Sequence, residues 1–209
     1  TIITLTEVGP GGQLGVCRAV AAGSVGRTAS TAMTSVTTTW VHETSAAFAV
    51  PCFAGTYRAA GNDATNCIIV PAGSVGTVTG GATATANESG ATAATACSAN
   101  YYRDAAASAA FTGCVDIDAG KQGQTSATVG DPYAATGATF QVDCVAGKYN
   151  LNGDGACADA LAGHVGRVVN DPFAIVNQVG ALYSSPCSAG YFRVASSVGT
   201  TAGCVAADA

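Results

Sequence analysis

The chain has 209 residues, of which 10% are charged and 48% hydrophobic, with a net charge of −5 and only eight Lys plus Arg. So few cations leave no basic stripe for nucleic acid, and no apolar run reaches the roughly 18 residues of a membrane-spanning helix. Large apolar side chains are sparse (one Trp, one Met, six Phe, seven Tyr) and much of the rest is Ala, which buries little area, so one large core is out of reach without cross-links or neighbours.

The chain begins at Thr1 instead of Met, which reads as a mature form after removal of a secretory signal. A lipid anchor attached beyond Ala209 is compatible with the sequence. The first segment, TIITLTEV (1–8), is β-branched and partly alternating and predicts a strand. GPGGQLG (9–15) follows as a flexible tether.

From Cys17 onward the nine cysteines mark an internal repeat, which is the first thing to seek in a sequence. Cys67 and Cys97, Cys114 and Cys144, and Cys157 and Cys187 each stand 30 residues apart, and shorter intervals of 13 to 17 residues alternate with them. Each cysteine that opens a long interval starts the phrase C-x4-A-G-x-x-G: CRAVAAGSVG, CIIVPAGSVG, CVDIDAGKQG and CADALAGHVG. Each cysteine that closes one starts C-x-A-[GN]-x-[YF]: CFAGTY, CSANYY, CVAGKY and CSAGYF.

The organisation is therefore a strand and Gly-rich tether at 1–16, then repeats at 17–66, 67–113, 114–156 and 157–209. The predicted fold is mainly β, an elongated array of four small disulfide-stapled β-rich repeats with an N-terminal strand. Along the repeats, SVTTTWVHET (35–44), TGATFQVDCV (136–145) and GALYSSPC (180–187) predict short strands, and DAAASAAF (104–111) a helical turn. The glycines of A-G-x-x-G predict positive φ or a close backbone approach. The aromatic residue of C-x-A-[GN]-x-[YF] is expected to pack on the nearby disulfide.

No C-x-x-C pair occurs, which argues against zinc and thioredoxin-like chemistry. Regular cysteines in a weak-cored chain suggest disulfides and an oxidising compartment. Two pairings respect the repeat. The favoured one closes the short intervals, joining Cys52 to Cys67, Cys97 to Cys114, Cys144 to Cys157 and Cys187 to Cys204. Cys17 is then unpaired or intermolecular. The other closes the long intervals and leaves Cys204 over. Sequence alone does not decide between them.

CIIVPAGSVG, CFAGTYRAAGNDATNC and CSAGYFRVASSVGTTAGC resemble the cysteine-rich repeats of ciliate surface immobilization antigens. The resemblance covers 17–204. Ephrin-receptor-like and growth-factor-receptor-type repeats share the style. It implies an extracellular coat role, lipid-anchored and without catalysis. The family's paired C-x-x-C is reduced here to one cysteine, with Val20, Val70, Ile117 and Ala160 in the second place, so the family's cross-links do not carry over.

Candidates for chemistry are few. Only His42 and His164 are present, and no acid–base or phosphate-binding motif accompanies them. Asn150, Asn152 and Asp154 echo the start of a calcium loop, but its twelfth position is Leu161. Hence no cofactor is expected. Asn87 lies in the one N-x-[ST] sequon and is a candidate glycosylation site. Thr/Ser-rich 28–39 and 77–96 could carry O-glycans. Arg58, Arg103 and Arg193 follow the aromatic of their repeats, which predicts stacking or edge solvation ahead of a ligand ladder.

These features predict an extracellular structural protein, a surface-coat or fibre-forming subunit whose partner is itself, and not an enzyme. The expected assembly route is exchange of the N-terminal strand, with Ile2, Ile3 and Leu5 pairing on a neighbour's sheet edge. The alternative is a cell-surface adhesin or receptor-type module for a glycan or a protein.

Overall fold

The computed structural model describes residues 4–6, 17–30, 42–60, 66–106 and 112–207. The strands are β1 (Thr4–Thr6), β2 (Cys17–Ala19), β3 (Ser24–Arg27), β4 (Phe48–Pro51), β5 (Thr56–Tyr57), β6 (Ile68–Ile69), β7 (Ser74–Thr77), β8 (Ala93–Ala96), β9 (Tyr101–Tyr102), β10 (Val115–Asp116), β11 (Lys121–Gln124), β12 (Phe140–Asp143), β13 (Lys148–Tyr149), β14 (Ala158–Asp159), β15 (His164–Arg167), β16 (Tyr183–Pro186), β17 (Tyr191–Phe192) and β18 (Val205–Ala206). All pair antiparallel in two-stranded sheets. The mainly β, disulfide-stapled repeat expectation therefore holds. Residues 104–111, expected as a helical turn, lie mostly outside the described residues, as does most of the strand expected at 35–44.

Two kinds of hairpin alternate. Four-residue strands pair within each long cysteine interval, as β3–β4, β7–β8, β11–β12 and β15–β16. Two-residue strands pair across each short interval, as β5–β6, β9–β10, β13–β14 and β17–β18. The short hairpins are closed by the Cys52–Cys67, Cys97–Cys114, Cys144–Cys157 and Cys187–Cys204 disulfides. The short-interval pairing is thus the one adopted. The other eight cysteines pair among themselves, so none remains for Cys17 in the same chain.

Both signature phrases are turns. Ser24 N–H bonds Ala21 C=O with Gly23 between them at φ +74°, and Thr56 N–H bonds Phe53 C=O with Gly55 at φ +89°. Positive φ at the third position is the type II signature, and Gly or Asn supplies it at least cost. Asn100, the one non-glycine at this place in C-x-A-[GN]-x-[YF], indeed has φ +69°. The second glycine of A-G-x-x-G serves close packing instead. A Cβ on Gly76 would lie 2.9 Å from the Ala91 side chain and 3.3 Å from Val70.

Each repeat has a small core. Val25, Val75 and Val165 are fully buried, with Ala91, Ala138 and Ala181. Val20, Val70, Ile117 and Ala160 are also buried, so apolar packing fills the place of the absent second cysteine. Against the first disulfide the packed aromatic is Phe53, the residue after the cysteine, not the expected Tyr57.

The chain divides into two compact units. One comprises Thr1–Cys97 with Arg103–Cys114, and the other Ser98–Tyr102 with Val115–Ala209. Each contains a junction between consecutive repeats. In the first, Gly90 N–H bonds Cys52 C=O at 2.7 Å and Arg58 N–H bonds Ala91 C=O at 3.0 Å. In the second, Gly180 N–H bonds Cys144 C=O at 2.8 Å and Asn150 N–H bonds Ala181 C=O at 2.9 Å. The fit is tight, because a Cβ on Gly23 would sit 2.0 Å from Gly90 O, and one on Gly120 2.4 Å from Gly180 O.

Thr4–Thr6 pairs with Cys17–Ala19 of its own chain, setting Leu5 opposite Arg18. The register reproduces that of β5–β6, so β1 stands where a preceding repeat would place its short strand. In this structure β1 is paired within the chain. Ile2 and Ile3 lie outside the described residues.

Candidate functional site

The conspicuous polar groups of this chain are buried in its modules. Arg58, Arg103 and Arg193 are 2%, 0% and 4% exposed. Each turns one guanidinium nitrogen into the A-G turn of its repeat. Arg58 Nη1 donates to the carbonyls of Val20, Ala21 and Ser24 at 3.3, 2.8 and 3.1 Å. Arg103 Nη1 repeats this on Val70, Pro71 and Ser74, and Arg193 Nη1 on Ala160, Leu161 and His164. Burial pushes the Arg103 guanidinium below its ordinary pKa, and the nearby Asp104 works against that shift. These arginines are buried and not solvated at an edge, and their Nη1 atoms are engaged by backbone. They clasp the first strand of each long hairpin to the short hairpin that follows.

In the third repeat the clasp is Asn150. Its Nδ2 donates to Lys121 O at 2.9 Å, the carbonyl equivalent to Ser24 O, and its Oδ1 accepts from Gly153 N–H at 3.0 Å. Asn150 is 6% exposed and its amide is engaged, while Asp154 is exposed and accepts from Asn100 Nδ2 at 3.3 Å. Asn152 is also exposed. Among the described residues no cluster of three His, Cys, Asp or Glu is placed to hold a metal. In this structure Asn150 therefore serves a turn that substitutes an amide for an arginine. A chelator is expected to leave the melting temperature unchanged, as scanning calorimetry with and without EDTA would show.

A second device, missed in the sequence, brackets three of the four long hairpins. His42 Nδ1, Asn87 Oδ1 and Asn177 Oδ1 accept from the N–H of Gly26, Gly76 and Gly166 at 3.0, 2.8 and 2.8 Å. The next residues, Glu43, Glu88 and Gln178, accept from the N–H of Thr28, Val78 and Val168. Thr28 holds the Glu43 carboxyl below the usual range through its hydroxyl and its N–H. The signal was the recurrence of HE, NE and NQ at one offset before the second long strand.

His42 is thus a hairpin acceptor. His164 places Nδ1 3.1 Å from Ala162 O. Asn87 Nδ2, the atom a glycan would occupy, donates to Thr112 O at 2.9 Å. The structure gives Asn87 the role of Asn177, which has no sequon. Peptide mass mapping should find Asn87 unmodified, and Asn87→Ala should cost about 1–3 kcal/mol for the backbone N–H left unpaired.

The second unit also carries a cleft of about 260 Å³ lined by Asp131, Tyr133, Asp143 and Lys148 among others. Lys148 is tied to Asp159 at 2.7 Å. No helix of the described residues is long and apolar enough to cross a membrane. No family model and no curated protein matches the chain.

Proposed function

We propose that this chain is an extracellular structural subunit that builds a surface coat or fibre from copies of itself, in the manner its phrases share with ciliate surface antigens. Four disulfides in a chain of this size point to an oxidising, extracellular compartment. The observation that carries the structural reading is where the polar side chains are spent. Arg58, Arg103, Asn150 and Arg193, with His42, Asn87 and Asn177, all hold backbone of the modules themselves. His42 Nδ1 accepts from Gly26 N–H and His164 Nδ1 lies 3.1 Å from Ala162 O, and on this reading the protein is not an enzyme.

Electron microscopy of the purified native protein tests the proposal. Continuous filaments or sheets are expected, and a monodisperse particle at every concentration would overturn it. The cleft around Tyr133 favours the second reading, a glycan-binding adhesin. Saturable glycan binding by the monomer, lost in Tyr133→Ala, would support that instead.

A further inference from the structure

The two ends of the repeat series carry the separated halves of one junction. Inside each unit a junction uses a carbonyl after β4 or its equivalent and an N–H after the short strand, met by the Gly-Ala pair of the next long loop. In the last repeat the equivalent groups are Cys187 C=O and Arg193 N–H, and the described residues of the second unit give neither a backbone partner. In the first repeat the equivalent loop pair is Ser45-Ala46, and the described residues of the first unit give Ser45 N–H and Ala46 C=O no backbone partner.

Three further observations mark these ends as open. A Cβ on Gly163 meets nothing within 4 Å, whereas its counterparts Gly23 and Gly120 meet the next loop at 2.0 and 2.4 Å. Cys52, Cys97 and Cys144 are buried, while Cys187, in the same place, is half-buried. Tyr191 and Phe192 are exposed, where Thr56 is buried and Tyr57 half-buried. On the other side, Ser45 holds φ +58°, the conformation for which Gly90, Gly137 and Gly180 are used. Such a conformation in a residue with a side chain persists only where the surroundings demand it. Its side chain is compatible with a junction, since a Cβ on Gly90 comes no nearer than 3.6 Å to its neighbours.

We propose that a second copy of this chain joins here head to tail, its Ser45-Ala46 loop bonding Cys187 C=O and Arg193 N–H of the first. The inference rests on the structural-subunit reading and names its partner and its surfaces. An internal junction holds one short hairpin, yet β17–β18 and β1–β2 both occupy that position by register. The joint therefore keeps β17 of one copy and β2 of the other, and β18 and β1 are displaced.

By the same register Cys17 takes the place of Cys67, so the exchange extends to sulfur. The Cys17 thiol gives its proton to solvent and its thiolate attacks Cys187. A Cys17–Cys187 bond forms between copies, the Cys187–Cys204 bond breaks, and Cys204 leaves as a thiolate that takes up a proton. One disulfide replaces another, and no oxidant is required.

The test compares the full-length chain with Gly163→Ala and Cys17→Ser by electron microscopy, non-reducing gels and disulfide peptide mapping. Wild-type protein is expected to form reductant-sensitive multimers containing a Cys17–Cys187 peptide and a free Cys204. Gly163→Ala is strained at φ +74° and should melt at a lower temperature, but its methyl group is open in the single chain and blocked at a junction, so below that temperature it should stay folded and monomeric. Cys17→Ser should lose the covalent ladder. Assembly with Cys187–Cys204 intact, or wild-type assembly by a folded Gly163→Ala, would overturn the joint and leave the subunit reading standing. Failure of the wild type to assemble at all would remove both.

Discussion

Replacing Arg103 with alanine is expected to lower stability by about 3–5 kcal/mol, the range for removing one partner of a buried charged network. The guanidinium is 0% exposed and bonds Val70, Pro71, Ser74 and Thr112 carbonyls at 3.3, 3.1, 2.9 and 3.0 Å. Hydrogen bonds to a charged donor contribute roughly 1.5–3 kcal/mol each, and a buried acceptor left unpaired costs about 1–3 kcal/mol. Conformational relaxation and water entry reduce the simple sum. Urea denaturation followed by circular dichroism checks the figure. Arg103→Lys should recover part of the loss, since an ammonium can reach some of the same carbonyls but lacks the planar fork that serves Thr112 as well. Asn150→Ala should cost less than Arg103→Ala, because the neutral Asn150 side chain bonds Lys121, Gly153 and Gly155 without a charge.

Complete reduction is expected to unfold the chain at 25 °C without denaturant. The four disulfides close loops of 13, 15, 17 and 17 residues. A loop of this length restricts the unfolded chain by about 3 kcal/mol, so the four together rival the 5–15 kcal/mol by which folded domains are ordinarily stable. The side chains cannot make good the loss, because the core residues are mainly Val and Ala. Alkylating the reduced protein and recording its amide proton spectrum gives the answer. Collapsed chemical-shift dispersion is the expected result, and a native-like spectrum would show that packing alone holds the fold.

The repeat, its phasing and the preference for short-interval disulfides were legible because cysteine and glycine have few substitutes. A covalent bond requires the one, and positive φ strongly favours the other. Even the Asn in CSANYY could be read this way, since Asn100 takes the left-handed conformation that Gly55 and Gly147 take. The arginine clasp was not legible. Arg58, Arg103 and Arg193 recur at one offset, but a cation beside an aromatic is usually solvated, and nothing local reveals that three carbonyls some 30 to 40 residues earlier converge on it. Asn150 was ambiguous for a related reason. Asn, Gly and Asp serve turns and calcium loops alike, and only the Lys121 carbonyl distinguishes the two uses. The pairing of β1 with β2 was hidden too, because Thr4–Thr6 shares no phrase with the strand whose place it takes.

Each module is clasped across its short cysteine interval. Non-reducing peptide mapping of the unassembled chain tests it most directly. The predicted result is four cross-linked peptide pairs, Cys52 with Cys67, Cys97 with Cys114, Cys144 with Cys157 and Cys187 with Cys204, beside an unlinked Cys17. A peptide joining Cys67 to Cys97, or any other pair across a long interval, would contradict it.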